Sequence, residues 1–230
     1  MSQDHRAHAA RAGRAAFWLS VMLAVAATSV LATVAALLPS TRTTALFDES
    51  GPFERASPWL WLALAGWIAS VFPRRGWTVL AGMVLALAAA AREWDWHLAF
   101  TGYSVLKIPF YYRDQYPVHQ KLLTGAAMLL IAASTAMLLA RLVRLRPWAR
   151  PVRWWAKSLA FAFGVLVFTK AVDRAPALLQ EHAGLVLGDR WRAAFYAVEE
   201  GLEMLLPIFF GLYALALAQW HRATAQGQAR

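Results

Sequence analysis

Cysteine is absent from the 230-residue sequence. Its absence excludes disulfides, thiolate metal ligands and a cysteine nucleophile. Charged residues are also few: they make up 16% of the chain, whereas soluble domains usually carry about 25%. In contrast, 60% of the residues are hydrophobic, and no Gly/Ser-rich or Pro-rich linker divides the chain. This composition predicts a single-domain polytopic membrane protein and argues against a soluble helical protein.

Six apolar runs have lengths near that of a membrane span. We place them at residues 16–38, 58–72, 77–91, 122–143, 158–170 and 199–219. The expected fold class is therefore all-α, with six transmembrane helices in a membrane domain of residues 15–220, a head of residues 1–14 and a tail of residues 221–230. The first run is too long for the apolar region of a signal peptide, so we interpret it as an uncleaved span.

Local signals refine the boundaries of the second and third spans. Ser57 followed by Pro58 is typical of a helix start. Residues 41–57 are accordingly expected to form a polar loop before the second span. The short basic segment at residues 73–76 predicts a tight turn, so that the second and third spans form an antiparallel hairpin.

The last third of the chain carries three further signals. Residues 171–197 contain short apolar patches and are expected to lie along the membrane interface as short helices. Asp189 is expected to cap a helix that continues into the last span. Pro207 frees a backbone carbonyl about one turn earlier and should kink that span.

Lysine and arginine are concentrated on one side of the six predicted spans, the side that holds both termini. Their segments there are the head, residues 73–76, residues 141–157 and the tail. The positive-inside rule places this side, with both termini, in the cytoplasm. Of the 13 acidic residues, only Asp4 falls on the same side. The net charge of +10 therefore predicts contact with anionic membrane lipid at the cytoplasmic face and gives no indication of nucleic-acid binding.

Three charged clusters fall at the opposite, outer ends of spans three, five and six. The first contains Arg92, Glu93, Asp95 and His97, interleaved with two tryptophans. In a helix, Glu93 and His97 would share a face, whereas in an extended chain Asp95 would join them on one side. Ionisable groups at the end of a membrane span commonly mark a functional site.

The second cluster is acidic and the third is mostly basic. They consist of Glu199, Glu200 and Glu203 at the start of the last span, and of Lys170, Asp173 and Arg174 at the end of the fifth. Carboxylates this close require a proton, a metal or a cationic partner. Lys170 and Arg174 share a helix face and are natural partners for them. The candidate binding residues are therefore Arg92, Asp95, Lys107, Lys170, Asp173 and Arg174.

Four interpretations of these clusters remain open. One is an ion-pair network that fixes helix packing, and another is surface charge without a shared function. A third is a Zn, Fe or Mn site, for which the candidate ligands are Glu93, His97, Glu199, Glu200 and Glu203. The Glu-x-x-His pairs of di-iron bundles are absent. The fourth is a metal-free acid–base or proton-linked site, with Glu93, His97 and Glu203 as candidate catalytic residues.

Two segments resemble patterns in uncharacterised bacterial multi-pass membrane proteins. They are Arg92-Glu93-Trp94-Asp95-Trp96-His97 and Glu199-Glu200-Gly201-Leu202-Glu203. The resemblance implies a polytopic protein of the bacterial inner membrane and carries no known activity. Acids and a histidine at one membrane face are also similar, more distantly, to the alkaline-ceramidase-like hydrolases. The paired-histidine metal motif that those enzymes carry on the last span is absent here.

Three functional hypotheses follow. The first is an inner-membrane protein whose outer clusters bind an ion, a lipid headgroup or a partner protein. The second is a metal-dependent membrane hydrolase that acts on lipid. The third is a proton-linked transporter, although transporter sites usually lie near the midplane rather than at span ends. A protein partner or an oligomer is compatible with each of them.

Overall fold

The computed structural model of the chain describes residues 3–48, 51–72, 76–99, 101–145 and 153–228. Of the described residues, 86% are helical and none lies in a strand. This finding confirms the all-α fold class. The helices are α1 (Gln3–Leu37), α2 (Ser40–Phe47), α3 (Pro52–Val71), α4 (Trp77–Glu93), α5 (Trp96–Ala99), α6 (Pro109–Tyr112), α7 (Val118–Leu145), α8 (Trp154–Ala183), α9 (Asp189–Glu203) and α10 (Leu206–Gln228).

Within the described ranges, four helical segments are long and apolar enough to cross a membrane. They are Ala10–Leu37, Val118–Leu145, Trp154–Ala183 and Asp189–Ala225. These segments are consistent with a helical membrane protein. The second and third predicted spans correspond to α3 and α4, which have 20 and 17 residues and are not among the four. A count of six spans therefore remains a prediction.

Helix α3 begins earlier than the sequence signals predict. It starts at Pro52, so Pro58 lies inside it, and the expected polar loop is helical in α2 and in the first turns of α3. The predicted helix start at Ser57 is therefore wrong. Phe53 stacks on Phe47 with ring centroids 4.5 Å apart. Burial of these rings favours the longer helix, although Pro58 cannot donate a helical hydrogen bond.

Helix α8 continues through much of the segment for which short interfacial helices are predicted. It passes Pro176 and ends at Ala183, and Gly184 follows with a φ of 64°. The prediction of short helices is therefore wrong for residues 171–183, whereas their position at the membrane interface remains a prediction. The helix ends where a glycine can adopt the left-handed cap conformation at low steric cost.

Helix α9 starts at the predicted residue but not through the predicted cap. Gly188 is its N-cap, and no side chain caps the helix. Asp189 instead lies in the first turn, where a negative charge interacts favourably with the helix dipole. The helix ends at Glu203 and α10 begins at Leu206, which confirms the interruption expected near Pro207.

The chain divides into two compact units. Unit 1 consists of Met1–Ser57 and Trp148–Arg230, and unit 2 consists of Pro58–Pro147. The turn predicted at residues 73–76 lies largely outside the described residues. The single membrane domain of residues 15–220 remains a prediction.

In unit 1, α1 and α8 run in the same direction. Trp154 at the start of α8 lies beside Phe17 in the first half of α1, with ring centroids 5.8 Å apart. Further along both helices, Thr28 and Phe168 line one apolar groove of about 410 Å³. The two helices therefore pack side by side in a parallel orientation along the length of unit 1.

Helix α10 runs in the opposite direction to α8. The rings of Phe209 and Phe161 lie 5.5 Å apart, and those of Trp220 and Trp155 lie 5.9 Å apart. Because the later residue of α10 meets the earlier residue of α8, the two helices are antiparallel. Helices α1, α8 and α10 thus form the long part of unit 1.

The second part of unit 1 joins α2 and α9 to the C-terminal half of α1. Leu31, Ala35, Phe47 and Ala197 form a buried apolar core there. Gly201 of α9 lies against Leu31, because a Cβ atom at position 201 would be 2.5 Å from the Cδ1 atom of Leu31. This close approach fixes the position of α9 along the axis of α1. It thereby also fixes the position of the acidic residues that α9 carries.

Unit 2 is built around α4, which packs against α7 and α5. The buried positions of α4 are Ala81, Ala86 and Ala90, so the helix offers a small-residue face that permits close packing. Among the described residues of unit 2, the largest fully buried side chain is that of Phe110, which contacts Tyr111 and Tyr116.

Candidate functional site

The break between α9 and α10 determines the setting of the acidic residues of unit 1. The last bond of α9 runs from the amide of Met204 to the carbonyl of Glu200, over 3.0 Å. Pro207 has no N–H, so the carbonyl of Glu203 lacks the donor that a continuous helix would supply. The carbonyls at a helix C-terminus carry partial negative charge. The glutamates of α9 therefore lie close to main-chain carbonyl oxygens that carry partial negative charge.

Lys170 of α8 forms ion pairs with two of these glutamates. Its Nζ atom lies 2.5 Å from Oε1 of Glu203 and 3.9 Å from Oε1 of Glu199. The two carboxylates are one helical turn apart, so one ammonium group reaches both. Their side chains are only 15% and 9% exposed, respectively. The pairing predicted between the second and third clusters is confirmed for Lys170.

Glu200 has a different partner, which the sequence did not indicate. Its side chain forms a hydrogen bond with that of Glu54, in the first turn of α3. Ionised carboxylates only accept hydrogen bonds, so this contact requires a proton on one of the two groups. The sequence placed Glu54 in an ordinary loop, and only the extension of α3 to Pro52 brings it to α9.

Among the described residues, no ion pair joins Arg174 to a glutamate of α9. Its Nε atom lies 3.9 Å from Oδ2 of Asp173, and its side chain is 79% exposed. Asp173 is close enough to Glu199 for mutual electrostatic repulsion. Arg174 therefore offsets the charge of Asp173 only weakly, because exposed ion pairs are screened by water.

These side chains together form what we call the carboxylate cluster. It consists of Glu54, Lys170, Asp173, Arg174, Glu199, Glu200 and Glu203. Acidic members outnumber basic ones, and the best-placed base, Lys170, is shared by two acids. The cluster consequently holds more carboxyl groups than basic groups, and two of those carboxyl groups, those of Glu199 and Glu203, have little access to water.

The segment from Arg92 to His97, in unit 2, is neither helical nor extended throughout. Helix α4 ends at Glu93, and Asp95 has a φ of 53° before α5 begins. Asp is one of the few residues that enters this left-handed region at modest cost. Trp94 stacks on Trp96 with centroids 5.4 Å apart. Both sequence-based alternatives for this segment, a continuous helix and an extended chain, are therefore wrong.

Several polar and charged side chains of this segment lie close to neighbours in the sequence. Arg92 donates to Oε1 of Glu93 over 3.1 Å, and Nδ1 of His97 lies 3.9 Å from Oδ1 of Asp95. Lys107 lies 5.6 Å from the ring centre of Tyr103. The local pairs are those expected of a network that stabilises a turn.

The predicted metal site gains no support from the geometry. Among the described residues, no three His, Asp or Glu side chains are grouped so that they could hold a metal ion. Glu93 and His97 belong to unit 2, whereas Glu199, Glu200 and Glu203 belong to unit 1. A single site that joins Glu93, His97 and Glu203 therefore remains a prediction.

Comparison with protein-family models, with curated proteins and with solved structures gives no significant match.

Proposed function

We propose that this is an integral protein of the bacterial inner membrane, with six spans and both termini in the cytoplasm, and that its carboxylate cluster binds a cation at the periplasmic ends of spans five and six. The observation that carries the proposal is the sharing of one ammonium group, that of Lys170, by Glu199 and Glu203, beside a hydrogen-bonded pair of acids, Glu54 and Glu200.

The directions of the helices support the placement of the termini. Helices α1 and α8 are parallel, so the chain between them must return across the membrane an odd number of times. Helix α7 alone satisfies this condition, and so does α7 together with a hairpin of α3 and α4. In both cases α10 brings the C-terminus back to the side of the N-terminus. The chain has six spans if α3 and α4 also cross the membrane.

The balance of charge favours a cation over the other ligands predicted for the outer clusters. Among the described residues no three acidic or histidine side chains group around one point, so the proposed cation is held by two carboxylates together with main-chain carbonyls, which are ligands that hard cations prefer. The end of α9 adds partial negative charge, as broken helices do at cation sites in transporters. A phosphate headgroup would be repelled by the same acids, so an anionic lipid does not suit this end of unit 1.

Cation binding can be tested through the thermal stability of the detergent-purified protein. Unfolding would be followed in chlorides of Na⁺, K⁺, Mg²⁺, Ca²⁺ and Zn²⁺ at constant ionic strength. A cation at about 100 times its Kd stabilises the folded state by about 2.7 kcal/mol, which corresponds to a rise in Tm of about 5 °C or more. Glu200→Gln should abolish that rise, and Glu181→Gln, at an exposed site on α8, should retain it.

The proposal of a cation site is overturned if no cation raises the Tm of the wild type above the effect of ionic strength. It is also overturned if Glu181→Gln loses the response as fully as Glu200→Gln does. Either result would leave the carboxylate cluster as a structural network.

The span count requires a separate experiment, and the lack of native cysteine makes it simple. Single cysteines at Gln180 and Gly76 would be exposed to a membrane-impermeant maleimide in intact cells. With six spans, Gln180→Cys is labelled and Gly76→Cys is protected. Labelling at both positions would mean that α3 and α4 do not cross, and protection at position 180 would contradict the orientation.

A further inference from the structure

Unit 2 holds two cations against one aromatic ring, in the segment that joins α5 to α7. Lys107 and Arg113 flank the short helix α6, and both lie over the ring of Tyr103. The Nζ atom of Lys107 is 5.6 Å from the centre of that ring, and the Cζ atom of Arg113 is 5.4 Å from it. Cation–π contacts of this kind restrict the positions of the charged groups. The two charges are therefore held close to a common point.

The ring of Tyr103 is itself positioned by contacts that lead into the interior of unit 2. Its centroid lies 5.7 Å from that of Tyr116, and the ring of Tyr116 lies 4.7 Å from that of Phe110, which is fully buried. At the main chain, the hydroxyl of Thr101 donates to the carbonyl of Tyr103 over 2.6 Å. Lys107 and Arg113 consequently rest on a packed series of rings, which we call the tyrosine platform.

Ion pairs do not balance the two cations of the platform. None of the ion pairs among the described residues includes Lys107 or Arg113. Asp114 is the only acid of residues 101–121, which contain Lys121 as a third base. The side chain of Asp114 is exposed, where water screens its charge. An anion next to both cations would therefore offset a repulsion that the segment itself leaves in place.

Apolar side chains surround the platform, and this is a second and independent observation. Leu106, Ile108 and Tyr112 are 50%, 76% and 67% exposed. The segment leads into α7, which is long and apolar enough to cross a membrane from Val118 onwards. Arg113 precedes that helix by only five residues. The cations thus lie where a spanning helix begins, which is the level of the lipid headgroups.

These features select among the anions that the two cations could bind. A ligand that covers both the cations and the exposed apolar side chains must combine a negative group with hydrocarbon. Free phosphate and a peptide of acidic residues supply only the negative group. A zwitterionic lipid brings a further positive group to a segment in which bases already outnumber acids. An anionic lipid meets both requirements.

We propose that Lys107 and Arg113 on the tyrosine platform bind the phosphate of an anionic phospholipid such as phosphatidylglycerol. The ammonium and guanidinium groups contact the phosphate oxygens, as they commonly do, and the acyl chains lie along the apolar surface of α7. On the orientation proposed above, α7 begins at the periplasmic side, so this lipid belongs to the periplasmic leaflet. The site lies in unit 2 and does not depend on cation binding by the carboxylate cluster of unit 1.

A fluorophore next to the platform tests the site, since the chain has no native cysteine. The full chain with Ile108→Cys would be labelled with bimane in detergent. It would then be titrated with dioctanoyl phosphatidylglycerol and, separately, with dioctanoyl phosphatidylcholine. The change in bimane emission gives a Kd at this position, so lipid bound elsewhere on the protein does not contribute. We expect phosphatidylglycerol to bind more tightly than phosphatidylcholine.

Two double variants in the labelled chain test the cations. Lys107→Gln/Arg113→Gln should weaken phosphatidylglycerol binding about thirtyfold, since each cation contributes roughly a factor of five. The control Arg141→Gln/Arg144→Gln removes the same charge about 30 Å further along α7. It should leave the Kd within about twofold of the value without it, because charges at that distance are screened.

Two substitutions at Tyr103 test the platform. Tyr103→Leu keeps both charges but removes the ring, and should weaken phosphatidylglycerol binding about threefold, whereas Tyr103→Phe keeps the ring and should preserve the affinity. Four results would overturn the proposal. They are equal affinity for the two lipids, an equal loss in the α7 control, displacement of phosphatidylglycerol by inorganic phosphate, and tighter binding of a hexaglutamate peptide than of phosphatidylglycerol.

Discussion

The Nζ atom of Lys170 lies 2.5 Å from Oε1 of Glu203, so an ammonium group of α8 holds the last residue of α9 at the point where the helix breaks. The same ammonium group lies 3.9 Å from Glu199. One cation therefore stabilises two poorly exposed carboxylates and the end of a helix together. The stability of this region should depend on that cation more than on any other charge of α8.

Lys170→Met should lower the free energy of unfolding by about 1–2 kcal/mol. Breaking a fully buried ion pair costs about 3–5 kcal/mol, and the value is reduced because the Lys170 side chain is 44% exposed. Arg174→Met is the matched control on the same helix and should change stability by less than about 0.5 kcal/mol, since its side chain is 79% exposed. Thermal unfolding in detergent measures both, and equal effects would contradict the assigned role of Lys170.

Glu54 should tolerate glutamine better than alanine. The amide of Glu54→Gln supplies an N–H to the carboxylate of Glu200 and keeps the hydrogen bond without a shared proton. Glu54→Ala leaves Glu200 without that partner and should cost about 1 kcal/mol or more. Thermal unfolding of the two variants measures the difference. An equal loss of unfolding free energy in both would contradict the prediction, because it would mean that Glu54 acts only through its charge.

Gly201→Ala should destabilise the protein by about 1–3 kcal/mol, the usual cost of overpacking. A Cβ atom there would lie 2.5 Å from Cδ1 of Leu31, which is itself buried. Gly164→Ala is the control, because that position has no atom within 4 Å of the new Cβ and should gain up to about 1 kcal/mol of helix stability. Addition of Leu31→Ala should relieve the clash, and failure to do so would locate the cost elsewhere.

Asp95→Gly should be nearly neutral, whereas Asp95→Val should cost about 1–2 kcal/mol. The residue has a φ of 53°, a conformation that glycine adopts freely and β-branched side chains strongly disfavour. Asp95→Asn should be as nearly neutral as Asp95→Gly if the positive φ of residue 95 determines the stability of the variants. A similar loss in all three variants, measured by unfolding in detergent, would instead assign the effect to the contact with His97.

Hydropathy predicted the long helices well, because α1, α7 and α8 are apolar over most of their length. The break at Met204 was also predictable, since Pro207 removes a hydrogen bond whatever the tertiary setting. Helix boundaries that depend on tertiary packing could not be predicted from the sequence. Ser57 and Pro58 look like a helix start, yet the contact between Phe47 and Phe53 extends α3 past them.

The carboxylate cluster was predicted in part for a similar reason. Lys170 and the glutamates of α9 were identified because ionisable residues near apolar runs are conspicuous. Glu54 was missed, since the choice of a partner for Glu200 depends on how α3 meets α9 and leaves no pattern in the sequence. The turn at Asp95 was missed as well, because neither helical nor extended spacing describes a residue with positive φ.

The order of the two units along the chain has a consequence for biosynthesis. Unit 2 is one continuous stretch, whereas the two parts of unit 1 flank it. A chain made from its N-terminus can complete unit 2 while α1 still lacks α8, α9 and α10. During that interval Leu31 and Ala35, which are buried in the finished protein, lack Ala197 of α9, the residue that completes their core. Arrest of synthesis after α7 should thus leave an α1 that membrane quality-control proteases recognise, beside a unit 2 that has already folded.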